Sequence, residues 1–234
     1  MLTNSLLEII YLTLPASIII LILRIPLVRL AYGAGSFPWK ATLTTGKIVA
    51  VLALAIFAKA IIHLAIRVFY ALHNTKTPLL VALLATLINI SLATYFVFFL
   101  HASVISLAVS LSLSALVEAF LLAILLFRSL KLKPNPSFYA NLLKISFASF
   151  LLAIFLWLPF RLFDQFIFDT THTFPLILLT LITSSFGLLL YFLLSLWLKI
   201  DQLQVFLKLF HRLGNWQATL AKTSESLDQP ETTV

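Results

Sequence analysis

The sequence predicts an all-α integral membrane protein with about six transmembrane helices. Its 234 residues are 62% hydrophobic and 10% charged, and its mean hydropathy is +1.09. Soluble domains average about 45–50% apolar and about 25% charged residues. The apolar residues are also gathered into long runs along the chain. Water is therefore not the main solvent of the folded surface, and no stretch remains for a soluble catalytic domain.

Six apolar stretches approach or exceed the length of about 20 residues that crosses a hydrocarbon core of about 30 Å. The predicted spans are residues 6–23, 48–72, 79–100, 103–127, 142–160 and 174–198. Pro15 should kink the first span, because proline removes a backbone hydrogen bond and clashes with the preceding turn. Pro159 should end the fifth span.

The connectors differ in length and composition. Residues 24–47 contain glycines and Pro38, which predicts an irregular segment at the membrane interface. Residues 73–78 form a short turn, and the very short junction at 100–103 predicts that the third and fourth helices form an antiparallel hairpin. Residues 131–137 read as a basic loop and residues 161–173 as a polar connector.

After the sixth span, residues 199–216 place apolar and charged side chains on opposite sides of a helix. This pattern predicts an amphipathic helix that lies in the membrane interface. Residues 217–234 are polar and predict a disordered tail.

Basic residues predict the orientation, because cytoplasmic loops carry an excess of Lys and Arg. The richer side holds Arg67, Lys76, Arg128, Lys131, Lys133, Lys144, Lys199, Lys208, Arg212 and Lys222. The other side holds Arg24, Arg29, Lys40, Lys47 and Arg161. The richer side should be cytoplasmic, with both termini inside. The net charge of +8 thus reflects topology and contact with anionic lipid, and predicts no nucleic-acid partner.

The second predicted span carries three bases, Lys59, His63 and Arg67, at intervals of four residues, which places them on one face of the helix. We call these residues the cationic stripe. Since ionisable groups at bilayer depth are costly, the stripe should point into a groove or hydrated cavity and track an anionic headgroup such as a diphosphate. The alternative is structural: Arg67 extends its charge to the interface, Lys59 pairs with a carboxylate, and His63 packs as a neutral ring.

The fourth predicted span offers the carboxylate. Glu118 ends a series of serines spaced by four residues and lies at about the same depth as Lys59. A Lys59–Glu118 pair is therefore geometrically possible. It would act either as a coupling or gating pair in transport, or as a bridge that only neutralises two buried charges. The serines should allow close helix approach.

The sequence contains no motif of a catalytic centre. It has no Walker-type phosphate loop, no HExxH zinc motif and no cysteine, and its five histidines are scattered. We therefore predict no enzyme activity, no cofactor and no metal site.

Four sequence segments resemble the MurJ/MviN family of lipid II flippases, a branch of the two-lobe exporter superfamily that includes MATE-like transporters. RIPLVRLAYGAGSF (residues 24–37) resembles the loop after the family's ninth helix. AKAIIHLAIRVFYALHNTKTP (residues 58–78) resembles the end of the tenth helix and its cytoplasmic turn. LINISL and SLAVSLSLSALVEAFLL (residues 87–92 and 106–122) resemble the next two helices. The motif positions of the two loops are Gly33, Gly35, Phe37, Tyr70, Asn74, Thr77 and Pro78.

Two positions depart from the family pattern. The first loop usually has an arginine between its glycines, where this chain has Ala34, and the turn usually has an aspartate where this chain has Asn74. Both departures put in doubt that these loops act as they do elsewhere in the family.

The resemblance implies the domain organisation. Residues 1–130 would be second-lobe helices, residues 131–198 two additional transmembrane helices, residues 199–216 the interfacial helix and residues 217–234 the tail. The family has about fourteen helices and this chain matches from the ninth, so we expect a fragment or one half of a split transporter, with a separate N-terminal lobe as partner.

The resemblance also implies the function: translocation of lipid II, a polyprenyl-diphosphate-linked peptidoglycan precursor, across the bacterial cytoplasmic membrane by alternating access. Membrane lipids would be the other partners. Two alternatives stay open at this point, a flippase for another polyprenyl-linked polysaccharide unit and a non-transporting membrane scaffold.

Overall fold

The computed structural model describes residues 2–32, 37–131, 135–166 and 173–203. These residues form helices and short connectors, with no β-strand among them. The helices are α1 (Leu2–Ile22), α2 (Arg24–Tyr32), α3 (Trp39–Ala71), α4 (Lys76–Thr94), α5 (Ile105–Ser129), α6 (Pro136–Phe166) and α7 (Thr173–Trp197). A π-helical turn, Tyr95–Phe99, continues α4.

Six of these helices are long and apolar enough to cross a membrane, which confirms the predicted number of spans. The tight junction after Phe99 also brings α4 and α5 together as a packed hairpin, as predicted. The 33 residues of α3 exceed the need of a bilayer, since a helix of that length is about 50 Å long. Its ends therefore extend beyond a hydrocarbon core of about 30 Å.

The irregular segment predicted for residues 24–47 is wrong. Residues 24–32 form α2, and α3 already begins at Trp39. Helical hydrogen bonding even passes from α1 into α2, because Leu27 N donates to Leu23 O at 2.9 Å. The break at Leu23 has a local cause: Pro26 has no N–H to donate to Ile22 O, so one rung of the helical ladder is missing there.

The predicted end of the fifth span at Pro159 is also wrong. α6 begins at Pro136, a favourable first helical position, and continues through Pro159 to Phe166. One proline removes only one backbone hydrogen bond, and membrane helices tolerate such positions. The first half of the connector predicted at residues 161–173 is therefore helical, and residues 167–172 lie outside the described structure.

Two hydrophobic cores organise the bundle. The first joins α1, α6 and α7 around fully buried side chains such as Leu152 and Leu156. The second joins α3, α4 and α5 around Phe69, Leu122 and Leu126. Extensive packing of α1 on α3 connects the two cores.

The predicted amphipathic helix lies mostly outside the described residues, and so does the predicted tail. The structure describes its start up to Leu203. There, Ile200 and Leu203, assigned to the lipid-facing side, are buried in the first core instead. These two side chains pack on protein because the chain turns back against α1 and α6 after α7.

Basic or histidine residues end four helices in the left-handed backbone conformation. Their φ angles lie between 46° and 54°, and the residues are His73, His101, Lys131 and Lys199. Backbone bonds such as Asn74 N to Phe69 O close the last turn around them, in the manner of a Schellman motif. The charges of Lys131 and Lys199 complement the negative end of the helix dipole.

Pro15 creates the polar contact that fixes α7 on α1. The helix continues through Pro15, but the missing N–H leaves the carbonyl of Tyr11 without its usual partner. The Tyr191 hydroxyl of α7 donates to that carbonyl at 3.0 Å, and the two tyrosine rings lie 5.1 Å apart. The kink at Pro15 itself stays a prediction.

Replacement of this hydroxyl should loosen the first core. We expect Tyr191→Phe to lower the free energy of unfolding by about 1–3 kcal/mol, because the buried hydrogen bond from the Tyr191 hydroxyl to the Tyr11 carbonyl is lost. Thermal unfolding in detergent, followed by circular dichroism, measures the change. Tyr139→Phe on the exposed surface of α6 is the matched control. Equal stability of Tyr191→Phe and wild type would contradict this account of α1.

Candidate functional site

The predicted ion pair forms between α3 and α5. Lys59 Nζ lies 3.3 Å from Glu118 Oε2, in hydrogen-bond contact. Glu118 is nearly enclosed, with 10% of its side chain exposed, whereas 49% of the Lys59 side chain is exposed. The pair is therefore asymmetric: the carboxylate belongs to the helix interface and the ammonium group lies at its edge.

Small residues allow α3 and α5 to approach closely enough for this contact. Ala58 on α3 is fully buried, and Ala115 and Ala119 on α5 are nearly so. Ser110 and Ser114, which the sequence predicted as small interface residues, are buried and bond back to carbonyls of their own helix. Small side chains at helix contacts are the usual means of close packing in membranes.

The sequence did not predict a second polar contact that lies at this interface. Ser112 Oγ of α5 donates to the carbonyl of Val51 in α3 at 2.9 Å. Ser112 continues a seam of small buried residues with Ala108, Ala115 and Ala119, spaced by four, three and four positions. That helical spacing could have predicted that Ser112 faces α3. The series of serines spaced by four residues is more regular and predicted the interface instead.

The rest of the cationic stripe lies on the surface of the chain. His63 and Arg67 are exposed, as Lys59 is, while Ile62, Ala65 and Phe69 on the other side of α3 are buried. Among the described residues no ion pair involves His63 or Arg67, and the orientation of the stripe toward a groove or hydrated cavity stays a prediction. The stripe spans about 12 Å along the helix axis.

The turn between α3 and α4 is built by its own side chains. Asn74 Oδ1 accepts from Thr77 N at 3.2 Å and contacts Thr77 Oγ1. Pro78 is buried in the first turn of α4, as predicted, and Tyr70 is exposed before the turn. Asn74 thus performs the capping role open to an aspartate, which makes the family departure at this position conservative in structure.

A cavity that the sequence did not predict adjoins this turn. Its volume is about 310 Å³. The lining residues are Phe69, Asn74, Thr77, Leu125, Arg128 and Ser129. The guanidinium group of Arg128 thus lines the same cavity as the hydroxyl of Thr77 and the amide of Asn74.

The other motif loop is only partly described. Gly33 and Gly35 lie outside the described residues. Phe37 follows them and stacks on Tyr32, with ring centroids 5.1 Å apart. Arg29 lies 5.8 Å from the Trp39 ring, a cation–π contact between α2 and α3. In the described ranges, no three His, Cys, Asp or Glu side chains gather as metal ligands.

Comparisons with known proteins agree on one family. The family model described as lipid II flippase MurJ matches residues 1–180. The probable lipid II flippase MurJ of Thermotoga maritima is 32% identical over 139 residues, or 59% of this chain and 27% of the relative. That of Rhizobium meliloti is 36% identical over 83 residues, or 36% of this chain and 16% of the relative.

A solved structure supports the same relationship. The structure of lipid II flippase MurJ in an inward closed conformation is similar with a TM-score of 0.65 and 27% identity, over 83% of this chain and 37% of that chain. This chain therefore spans well under half the length of the relatives it matches.

The asymmetry of the ion pair predicts unequal effects of its two halves. Lys59→Met should lower the free energy of unfolding by about 1–3 kcal/mol, because it leaves the enclosed Glu118 without a partner. Glu118→Gln should cost less, since Lys59 reaches the edge of the interface. Thermal unfolding of both variants in detergent measures this difference.

The double variant Lys59→Met with Glu118→Leu tests the cause. Removing both charges should restore most of the stability lost in Lys59→Met, because no uncompensated charge remains. Additive losses in the double variant would contradict this explanation.

Proposed function

Because this chain belongs to the MurJ family of lipid II flippases, we propose that it forms the C-terminal portion of a transporter for lipid II. In this proposal the transporter carries the lipid-linked precursor across the bacterial cytoplasmic membrane by alternating access. The observation that carries the proposal is the cationic stripe, which a membrane-spanning helix exposes on the surface of the chain.

An exposed stripe of bases demands a polar environment. A charge at the bilayer centre costs about 2.5–3.5 kcal/mol on insertion scales, so such groups face protein or water-filled cavities. Lys59 is half-exposed even with its partner, and His63 and Arg67 extend the exposed face toward the end of α3. We propose that this face borders a hydrated cleft, completed by further helices of the transporter on the same or another polypeptide.

The chemistry of the stripe suits a diphosphate. Arg67 presents a guanidinium that can bind phosphate oxygens in a bidentate manner. His63 is a donor in either protonation state. Lys59 is held by Glu118, so it contributes less attraction than Arg67 does. The stripe therefore offers most positive charge near the end of α3, on the side that the bases of the loops mark as cytoplasmic.

We propose separate roles for the two halves of the described chain. Helices α1 to α5 would form the lobe that carries the stripe, and α6 and α7 would be additional helices that contact lipid or the polyprenyl tail. In support, α6 exposes Leu143, Phe147, Phe150 and Ile154 in one row of helical spacing. Both termini would be cytoplasmic, and the transport cycle would involve no covalent chemistry.

A membrane scaffold is the second candidate. One observation favours it: the carboxylate of the pair is enclosed between α3 and α5 and also serves their packing. A scaffold needs the pair but has no use for exposed bases at His63 and Arg67. Substitution of the exposed bases therefore separates the two functions better than substitution of the pair. Transport of another polyprenyl-linked polysaccharide unit would rest on the same stripe.

Complementation tests the proposal. The chain would be expressed in a flippase-depleted bacterium, alone and together with the N-terminal half of a MurJ relative. We expect rescue only with the supplied half. If neither arm is rescued although the chain is inserted in the membrane, the scaffold function is favoured. If the chain instead rescues a strain that lacks the flippase of another polyprenyl-linked unit, that unit is the substrate.

The stripe is tested in the rescued strain. Arg67→Gln should reduce lipid II export about tenfold or more, since one good charged contact to phosphate is worth about 1.5–3 kcal/mol. Lys47→Gln is the matched control, because Lys47 is an exposed base on the same helix outside the stripe. Accumulated lipid II, measured by extraction, is the readout. Equal export by the two variants at equal protein levels would refute the role of the stripe.

A further inference from the structure

A second cavity lies where three helix ends meet, and none of its lining residues belongs to the cationic stripe. Its volume is about 160 Å³. α1 contributes Asn4 and Glu8, the beginning of α6 contributes Ser137 and Asn141, and the segment after α7 contributes Asp201 and Gln202. We call this the polar cavity.

Each side chain that lines the polar cavity carries an oxygen atom. Two are carboxylates, three are amides and one is a hydroxyl. Hard cations prefer this set: Ca²⁺ takes six to eight oxygen ligands, and smaller ions keep part of their water shell. Since a water molecule occupies about 30 Å³ in the liquid, the cavity has room for an ion with a few waters.

Gln202 is an independent indication that the polar cavity is a ligand site. The residue is 5% exposed, and its Oε1 atom has no hydrogen-bond partner among the described residues. Buried side-chain oxygens are normally paired, and one left unpaired costs about 1–3 kcal/mol. A bound cation would provide the partner that this oxygen lacks, because side-chain amide oxygens coordinate hard cations.

The carboxylate beside Gln202 is already oriented. Asn141 Nδ2 donates to Asp201 Oδ2 at 3.1 Å, which links α6 to the segment after α7. This bond uses the Nδ2 atom of Asn141 and the Oδ2 atom of Asp201. The Oδ1 atom of each side chain can therefore act as a ligand. Asn141 itself is buried.

Among the described residues, no lysine or arginine lines the polar cavity. Lys144 on α6 places its Nζ 3.4 Å from the carbonyl of Lys199, and neither lysine lines the cavity. The positive end of the α6 dipole offsets part of the carboxylate charge. Two carboxylates, Glu8 and Asp201, still leave the polar cavity with an excess of negative charge.

We propose that the polar cavity binds one hard cation, Ca²⁺ or Na⁺, through Glu8, Asp201 and Gln202. The ion joins the beginning of α1, the beginning of α6 and the end of α7, and so stabilises the first core. This site does not depend on the proposed transport of lipid II.

Equilibrium dialysis of the purified full chain in detergent tests the site. The probes are ⁴⁵Ca²⁺ and ²²Na⁺, with choline chloride to hold the ionic strength constant. We expect saturable binding of one ion per chain in the millimolar range or tighter for one of the two probes. The absence of saturable binding for both ions in the wild-type chain would overturn the proposal.

Variants locate the bound ion. Glu8→Gln and Asp201→Asn should each weaken binding about tenfold or more, and the ion should raise the unfolding temperature of wild type but not of these variants. Lys47→Gln is the control, since it removes an exposed charge outside the cavity. Gln202→Leu serves where a charge variant fails to fold, and should also weaken binding. Binding that all three substitutions leave unchanged would place the ion elsewhere and refute the site.

Discussion

The bundle depends on one constraint: a polar group at bilayer depth must find its partner inside the protein. Hydroxyl groups meet this need locally, as Ser17 and Thr13 do by donating to carbonyls one turn earlier on α1. Groups without a local solution determine how helices pack. The carbonyl freed by Pro15 requires the hydroxyl of Tyr191, and Glu118 requires Lys59. Polar contacts thus select one arrangement among helices whose apolar surfaces would pack in many ways.

The sequence predicted the parts of this structure that depend on local composition. The six spans follow from apolar length alone, and the Lys59–Glu118 contact follows from two costly charges at equal depth on helices of like direction. The irregular segment predicted for residues 24–47 and the helix end predicted at Pro159 were wrong, because glycines and prolines interrupt a helix only where nothing else stabilises it. The sequence shows that a proline removes a backbone hydrogen bond. It does not show whether packing against other helices compensates for that loss.

The polar cavity and the bond from Ser112 to Val51 have a different origin. Each joins residues that are far apart in the chain, such as Glu8 with Asp201, and the spacing of residues on one helix does not identify the partner on another. Their prediction requires the relative placement of three helix ends or the rotation of α5 about its axis. Hydrophobic periodicity is weak evidence for that rotation here, since the helices are apolar on nearly every side.

Glu118 also determines what the cationic stripe can do in the proposed transporter. The carboxylate is enclosed and cannot leave its interface at low cost, so it continues to attract Lys59 when an anion approaches. A diphosphate would have to share Lys59 with Glu118 at mid-span, whereas no described carboxylate competes for Arg67. In this proposal the stripe would hold an anion more firmly at one end of α3 than at its middle. Such a gradient would suit the proposed transport, because a site that bound the anion equally tightly along its whole path would retain it.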